Sequence, residues 1–145
     1  MLWKIPTGGP LIGAVIAMAL AVPAIEAQTT SSGATAHTKE AFTHERFQEL
    51  QAQGALILVD IFADWCPDCA LQQTVLEAYR EQNPDVPLHT LMVDFDAQKD
   101  VVTHFRAPRQ STLILYRGTE RLWFSVAETR EEVIVQALKE GASTQ

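Results

Sequence analysis

The stretch "ALILVDIFADWCPDCALQ", residues 55–72, holds the transition on which the fold turns. Its first half, Ala55 to Ala63, is a nearly continuous apolar run with a β-branched bias, the pattern of a strand buried on both faces and therefore central in a sheet. Its second half opens on Pro67, which suits a first helical position because its missing N–H needs no partner there. Leu71, Val75, Leu76 and Tyr79 follow at helical spacing up to about Gln82, where "NPDVP" breaks the pattern. The chain's only two cysteines, Cys66 and Cys69, sit at the seam. Cys66 falls at the helix N-cap and at the carboxyl end of the central strand, where open α/β sheets place their sites.

On either side the chain alternates between helical and strand-like patterns. "THERFQELQAQG", residues 43–54, offers Thr43 as an N-cap, Phe47 and Leu50 on one face and Gly54 as a C-terminal stop, which predicts a helix. "LHTLMVDFD", residues 88–96, predicts a second strand, and "DVVTHFR", residues 100–106, a short helix. "TLILYRG" and "ERLWFSV", residues 112–118 and 120–126, predict a strand pair joined around Gly118. "TREEVIVQALKEG", residues 129–141, predicts a closing amphipathic helix with Thr129 as cap and Glu132 as its capping-box partner. Strand and helix in alternation, then a hairpin and a last helix, imply an α/β fold whose central sheet is parallel in part and flanked by helices on both faces.

At 145 residues, 47% of them apolar, the chain suffices for one domain with a real core and is too short for two ordinary ones. A formal net charge of −7 argues against nucleic acid or an anionic membrane surface as partner. At the amino terminus Lys4 precedes the apolar run Leu11 to Val22, then Pro23 and small residues, the layout of a secretory signal over residues 1–27. A run of about a dozen apolar residues is short of the roughly 20 a spanning helix needs. Cleavage after Ala24 or Ala27 is therefore expected, with an uncleaved anchor as the alternative. Residues 28–38, "QTTSSGATAHT", are polar, small and aperiodic, which predicts a flexible linker and a folded domain over 39–145.

Two cysteines three apart close too short a loop to stabilise a fold by restricting the unfolded chain. Their spacing to His89 and His104 does not match two-Cys, two-His zinc patterns. Redox chemistry is favoured, and a metal or iron–sulfur cluster held between Cys66 and Cys69 is the alternative from a different class. The free N–H groups and dipole of a first helical turn would stabilise a Cys66 thiolate by about 0.3–2 kcal/mol, where about 1.36 kcal/mol is one pKa unit. Cys69, one turn further in, faces the same side and should be less exposed.

In "VDIFADWCPDC", residues 59–69, strand, acid, aromatic residue, Trp and Cys-x-x-Cys stand together in register, and the segment resembles the active-site segment of the thioredoxin superfamily. The element order from Phe42 to Gly141 is similar to the thioredoxin-like fold throughout. That resemblance implies a thiol–disulfide oxidoreductase without a cofactor, with Cys66 attacking, Cys69 resolving, and Asp60 as a buried acid that helps deprotonate Cys69. It implies substrate contacts from Trp65, Pro67 and Asp68 beside the pair and from Gln110, Ser111 and Thr112 facing it.

The sequence departs from the family pattern at three places. Pro67 and Asp68 stand between the cysteines where Gly and Pro are commonest; the lysine that accompanies the buried acid falls on Met92; the cis-proline facing the disulfide falls on Ser111. Ser111 should take a trans bond, which shifts the loop and leaves a backbone N–H and a hydroxyl available near Cys66, with more room over the sulfurs. Arg106 and Arg109 read as solvated loop charges, although their nearness to Ser111 would put them beside the site. With the export signal, these features lead to the expectation of a monomeric periplasmic reductase of disulfide-containing exported proteins. Its oxidising compartment would require a dedicated donor, such as a membrane-bound thiol relay. Asp64 and Asp68 oppose a very stable thiolate, which leaves an oxidant or isomerase as the runner-up.

Overall fold

The structure is a computed structural model that describes residue 9 and residues 37–144. Apart from residue 9, the export signal expected at 1–27 lies outside the described residues, as does most of the linker expected at 28–38. The long apolar run forms β2, Leu56–Phe62, buried along all but its last residue. It pairs in parallel with β3, Leu88–Asp94, and antiparallel with β4, Thr112–Arg117. Beyond β4 lies β5, Glu120–Val126, antiparallel, and beyond β3 lies β1, Thr38–Ala41, parallel, so the sheet order is β1-β3-β2-β4-β5.

The period-two alternation of β2 divides its side chains between two cores. On one face Ile57, Val59 and Ile61 meet Phe47 and Leu50 of α1, His44–Ala52, and Val101 and Val102 of α3, Lys99–His104. On the other, Leu56 and Leu58 meet Leu76 and Tyr79 of α2, Pro67–Gln82, and Ile134 and Leu138 of α4, Glu131–Ser143. Asp60 shares the parity of Leu56 and Leu58, so the strand's one carboxyl points toward the α2 side. Each fully buried leucine or isoleucine contributes on the order of 1.5–3 kcal/mol. The thioredoxin-like arrangement of a mixed sheet between helices is the one expected.

Local chemistry explains where elements stop. Thr43 caps α1 by accepting from the Arg46 N–H, and Gly54, at φ 66°, ends it in the left-handed region. β3 ends two residues before the hydrophobic pattern does, because the Asp94 carboxylate accepts from the N–H groups of Asp96 and Ala97 and turns the chain. Thr129 does not cap α4. The cap position is Arg130, which has no side-chain cap bond, and the neighbouring Glu128 carboxylate instead takes the Arg130 backbone and guanidinium N–H groups. Gly141 lies inside α4, where a Cβ would lie 2.6 Å from Leu115 Cδ2, so the glycine lets the helix lie against β4.

Candidate active site

The site forms where β2 hands over to α2. Cys66 is the N-cap of α2, its Sγ accepting from the Cys69 N–H at 3.2 Å, with Pro67 in the first turn. Both cysteines are free thiols, Cys66 2% exposed and Cys69 fully buried. Burial opposes a charge on Cys66. Hydrogen bonds from the Cys69 thiol, the Ser111 hydroxyl and the N–H groups of Cys69 and Asp68 outweigh it and hold the Cys66 pKa below the ordinary cysteine value. Cys69 moves the other way: burial pushes its thiol up, and the hydrogen bond to Cys66 adds to that. The pair is split into a nucleophile and a reluctant acid.

Ser111 lies over both sulfurs. Its Oγ is 2.9 Å from Cys66 Sγ and 3.3 Å from Cys69 Sγ, and the residue is fully buried. No peptide bond among the described residues is cis, so the trans expectation for Ser111 is met. The accompanying expectation of a free backbone N–H is not, because that group donates to the Ile61 carbonyl at 2.9 Å. The Ser111 carbonyl accepts from the Ala127 N–H at 2.8 Å and from Gln72 Nε2 at 3.2 Å. With both backbone groups engaged, and Thr112 buried between β2 and β5, Gln110 is the one residue of the three left partly exposed at the rim. Ser111 and Ala127 have φ of 61° and 54°, a region that disfavours non-glycine residues by about 1–3 kcal/mol. A proline ring, fixed near −65°, has no place in this loop without rebuilding it.

Asp60 is fully buried on β2 and pairs in register with Met92, the position where a lysine was missed. Its Oδ2 accepts from Gln73 Nε2 at 2.6 Å, and its Oδ1 has no hydrogen-bond partner among the described residues. Gln73 Oε1 in turn accepts from Lys39 Nζ at 2.7 Å, so a lysine reaches the acid through an amide and from a different strand. Burial, offset in part by the Gln73 bond and the charges of Lys39 and Arg80, pushes the Asp60 pKa up to about 6. Gln73 stands one turn after Cys69 on the same side of α2, which places the acid a turn behind the resolving thiol.

The rim is polar and aromatic. Trp65 is 61% exposed and donates from Nε1 to Asp96 Oδ2 at 2.7 Å. Pro67 is exposed beside it. Arg109 is not a merely solvated loop charge: it pairs with Asp68 at 3.2 Å, bridging the proline-replacement loop to the turn between the cysteines and lessening the acid's effect on the Cys66 thiolate. Lys39, Gln72 and Gln73 were not singled out from the sequence. The spacing of Gln72 and Gln73, three and four residues after Cys69, was the available signal, whereas Lys39 belongs to the four-residue β1 that carries no pattern.

The thioredoxin family model matches residues 36–140. The chain is 29% identical over 96 residues to the thioredoxin of Chlamydia trachomatis, covering 66% of this chain and 91% of that one. Among solved structures, Trxlp from Edwardsiella tarda is 38% identical with a TM-score of 0.66, covering 70% of this chain and 98% of that one. A thioredoxin from Trypanosoma brucei brucei, 19% identical, shares the fold with a TM-score of 0.63 over 74% of this chain and 92% of its own. With a Cys-x-x-Cys pair at the N-cap of its first long helix, the chain belongs to the thioredoxin family and is a thiol–disulfide oxidoreductase.

Proposed function

We propose that the protein is a reductase of disulfides in exported proteins, working in the periplasm as a monomer and re-reduced by a membrane-bound thiol donor. The observation that carries the direction is the pair of acidic residues beside the thiols, Asp64 and Asp68, whose charge opposes the very stable Cys66 thiolate that a strong oxidant needs. In the reducing cycle the Cys66 thiolate attacks a substrate disulfide, forms a mixed disulfide and releases one substrate sulfur as a thiolate. Cys69 then attacks Cys66 Sγ and releases the second. The exposed large apolar side chains among the described residues are Trp65, Leu71 and Val126. Trp65 and Leu71 flank the cysteines in sequence, and Val126 adjoins Ala127, which bonds the Ser111 carbonyl. They support a protein rather than a small-molecule disulfide as substrate. The export signal expected at 1–27 supports the compartment.

Insulin reduction by dithiothreitol and oxidation of a reduced, unfolded ribonuclease test the direction side by side. Strong acceleration of the first and little of the second is expected. Faster oxidation than reduction would reverse the assignment.

A further inference from the structure

A buried hydroxyl touching both reacting sulfurs is a group the dithiol cycle has so far left unused. Ser111 Oγ lies 2.9 Å from Cys66 Sγ and 3.3 Å from Cys69 Sγ, and its position is set by three backbone-anchored bonds, to Ile61, Ala127 and Gln72. The conformation is one that serine takes at a penalty, which a side chain with no task would not require. Asp60, by contrast, spends its hydrogen bond on Gln73 and not on a cysteine.

We propose that Ser111 is a catalytic residue whose hydroxyl relays the proton of Cys69 to the departing substrate sulfur. Before the reaction the Ser111 hydroxyl and the Cys69 S–H both donate to the Cys66 thiolate, and a mixed disulfide at Cys66 frees the Cys69 S–H to donate to Ser111 Oγ, 3.3 Å away. Once Cys66 is in a mixed disulfide, it no longer carries the charge that held the Ser111 proton. As Cys69 Sγ attacks Cys66 Sγ, the bond between the two cysteine sulfurs forms and the bond from Cys66 to the substrate sulfur breaks. The Cys69 proton passes to Ser111 Oγ while the Ser111 proton passes to the substrate sulfur, which leaves as a neutral thiol. The cysteine pair is oxidised by two electrons, the substrate disulfide is reduced by two, and serine ends as it began. A proline at this position has no proton to pass. This role rests on the dithiol cycle above but not on its physiological direction or compartment.

The test uses leaving groups of different acidity. The reduced full chain is mixed in stopped flow with excess oxidised glutathione or with excess Ellman's disulfide, and the concentration-independent resolving phase is followed. Glutathione, a weakly acidic thiol, needs a proton to leave, whereas nitrothiobenzoate leaves as a stable anion. Ser111→Ala and Ser111→Gly both lack the hydroxyl, and glycine is at ease at positive φ, so one variant keeps the loop even if the other strains it. Glutathione release should slow at least tenfold in both variants while nitrothiobenzoate release changes less than threefold, and the solvent deuterium effect on glutathione release should vanish. Equal slowing with both leaving groups, or no slowing with either, would overturn the relay. A wild-type chain that resolves both reagents but reduces no protein disulfide would sink the reductase reading and leave the relay standing.

Discussion

Replacing Asp60 by Asn should stabilise the protein, and only above a defined pH. The folded Asp60 carboxyl has its pKa pushed up from the ordinary 3.8 to about 6 by burial, so between those values the native state holds a proton that the unfolded chain has released. Stability therefore falls as pH rises through that window and levels off above about 6, where both states are ionised. A rise of about two units, at about 1.36 kcal/mol each, makes the ionised carboxylate a burden of about 3 kcal/mol at pH 8. Asparagine has the same shape, can still accept from Gln73, and has no charge to bury. Urea unfolding of the wild type and Asp60→Asn at pH 4 to 8 should show curves that nearly coincide at pH 4 and diverge toward 3 kcal/mol by pH 7. Parallel curves across the range would show that burial does not shift Asp60.

Cys66→Ser should abolish disulfide reduction, whereas Cys69→Ser should still attack and should accumulate mixed disulfides visible by mass spectrometry; equal inertness of both variants would contradict their unequal roles. Gln73→Leu removes the one hydrogen bond that lowers the Asp60 pKa and cuts its path to Lys39, so the pH at which stability levels off should move upward, read from the same urea series. Gly141→Ala should destabilise by about 1–3 kcal/mol, because its methyl group would press on Leu115 from within α4; an unchanged midpoint would mean that the helix can shift at no penalty.

How much was legible in the sequence follows from which interactions are local. The apolar run of β2 and the Pro67 start of α2 announce themselves in consecutive residues, and they suffice to put Cys66 at a helix N-cap. β1 has only four residues, half of them charged, and is held by register with β3 rather than by any pattern of its own, so it could not be seen. With it went Lys39 and the amide link to Asp60, which joins residues from three elements. The Thr129 cap failed because a match to a capping motif does not say which acid an adjacent arginine will claim. At Ser111 the trans bond and the nearby hydroxyl followed from the absent proline, whereas the spent N–H depends on the Ile61 carbonyl fifty residues earlier in the chain.

The central claim, that this cysteine pair works as a reductase, is tested most directly by the equilibrium reduction potential of the full chain in glutathione buffers. The account predicts a value near the roughly −270 mV of thioredoxin, and a value near the roughly −120 mV of a strong oxidant would contradict it.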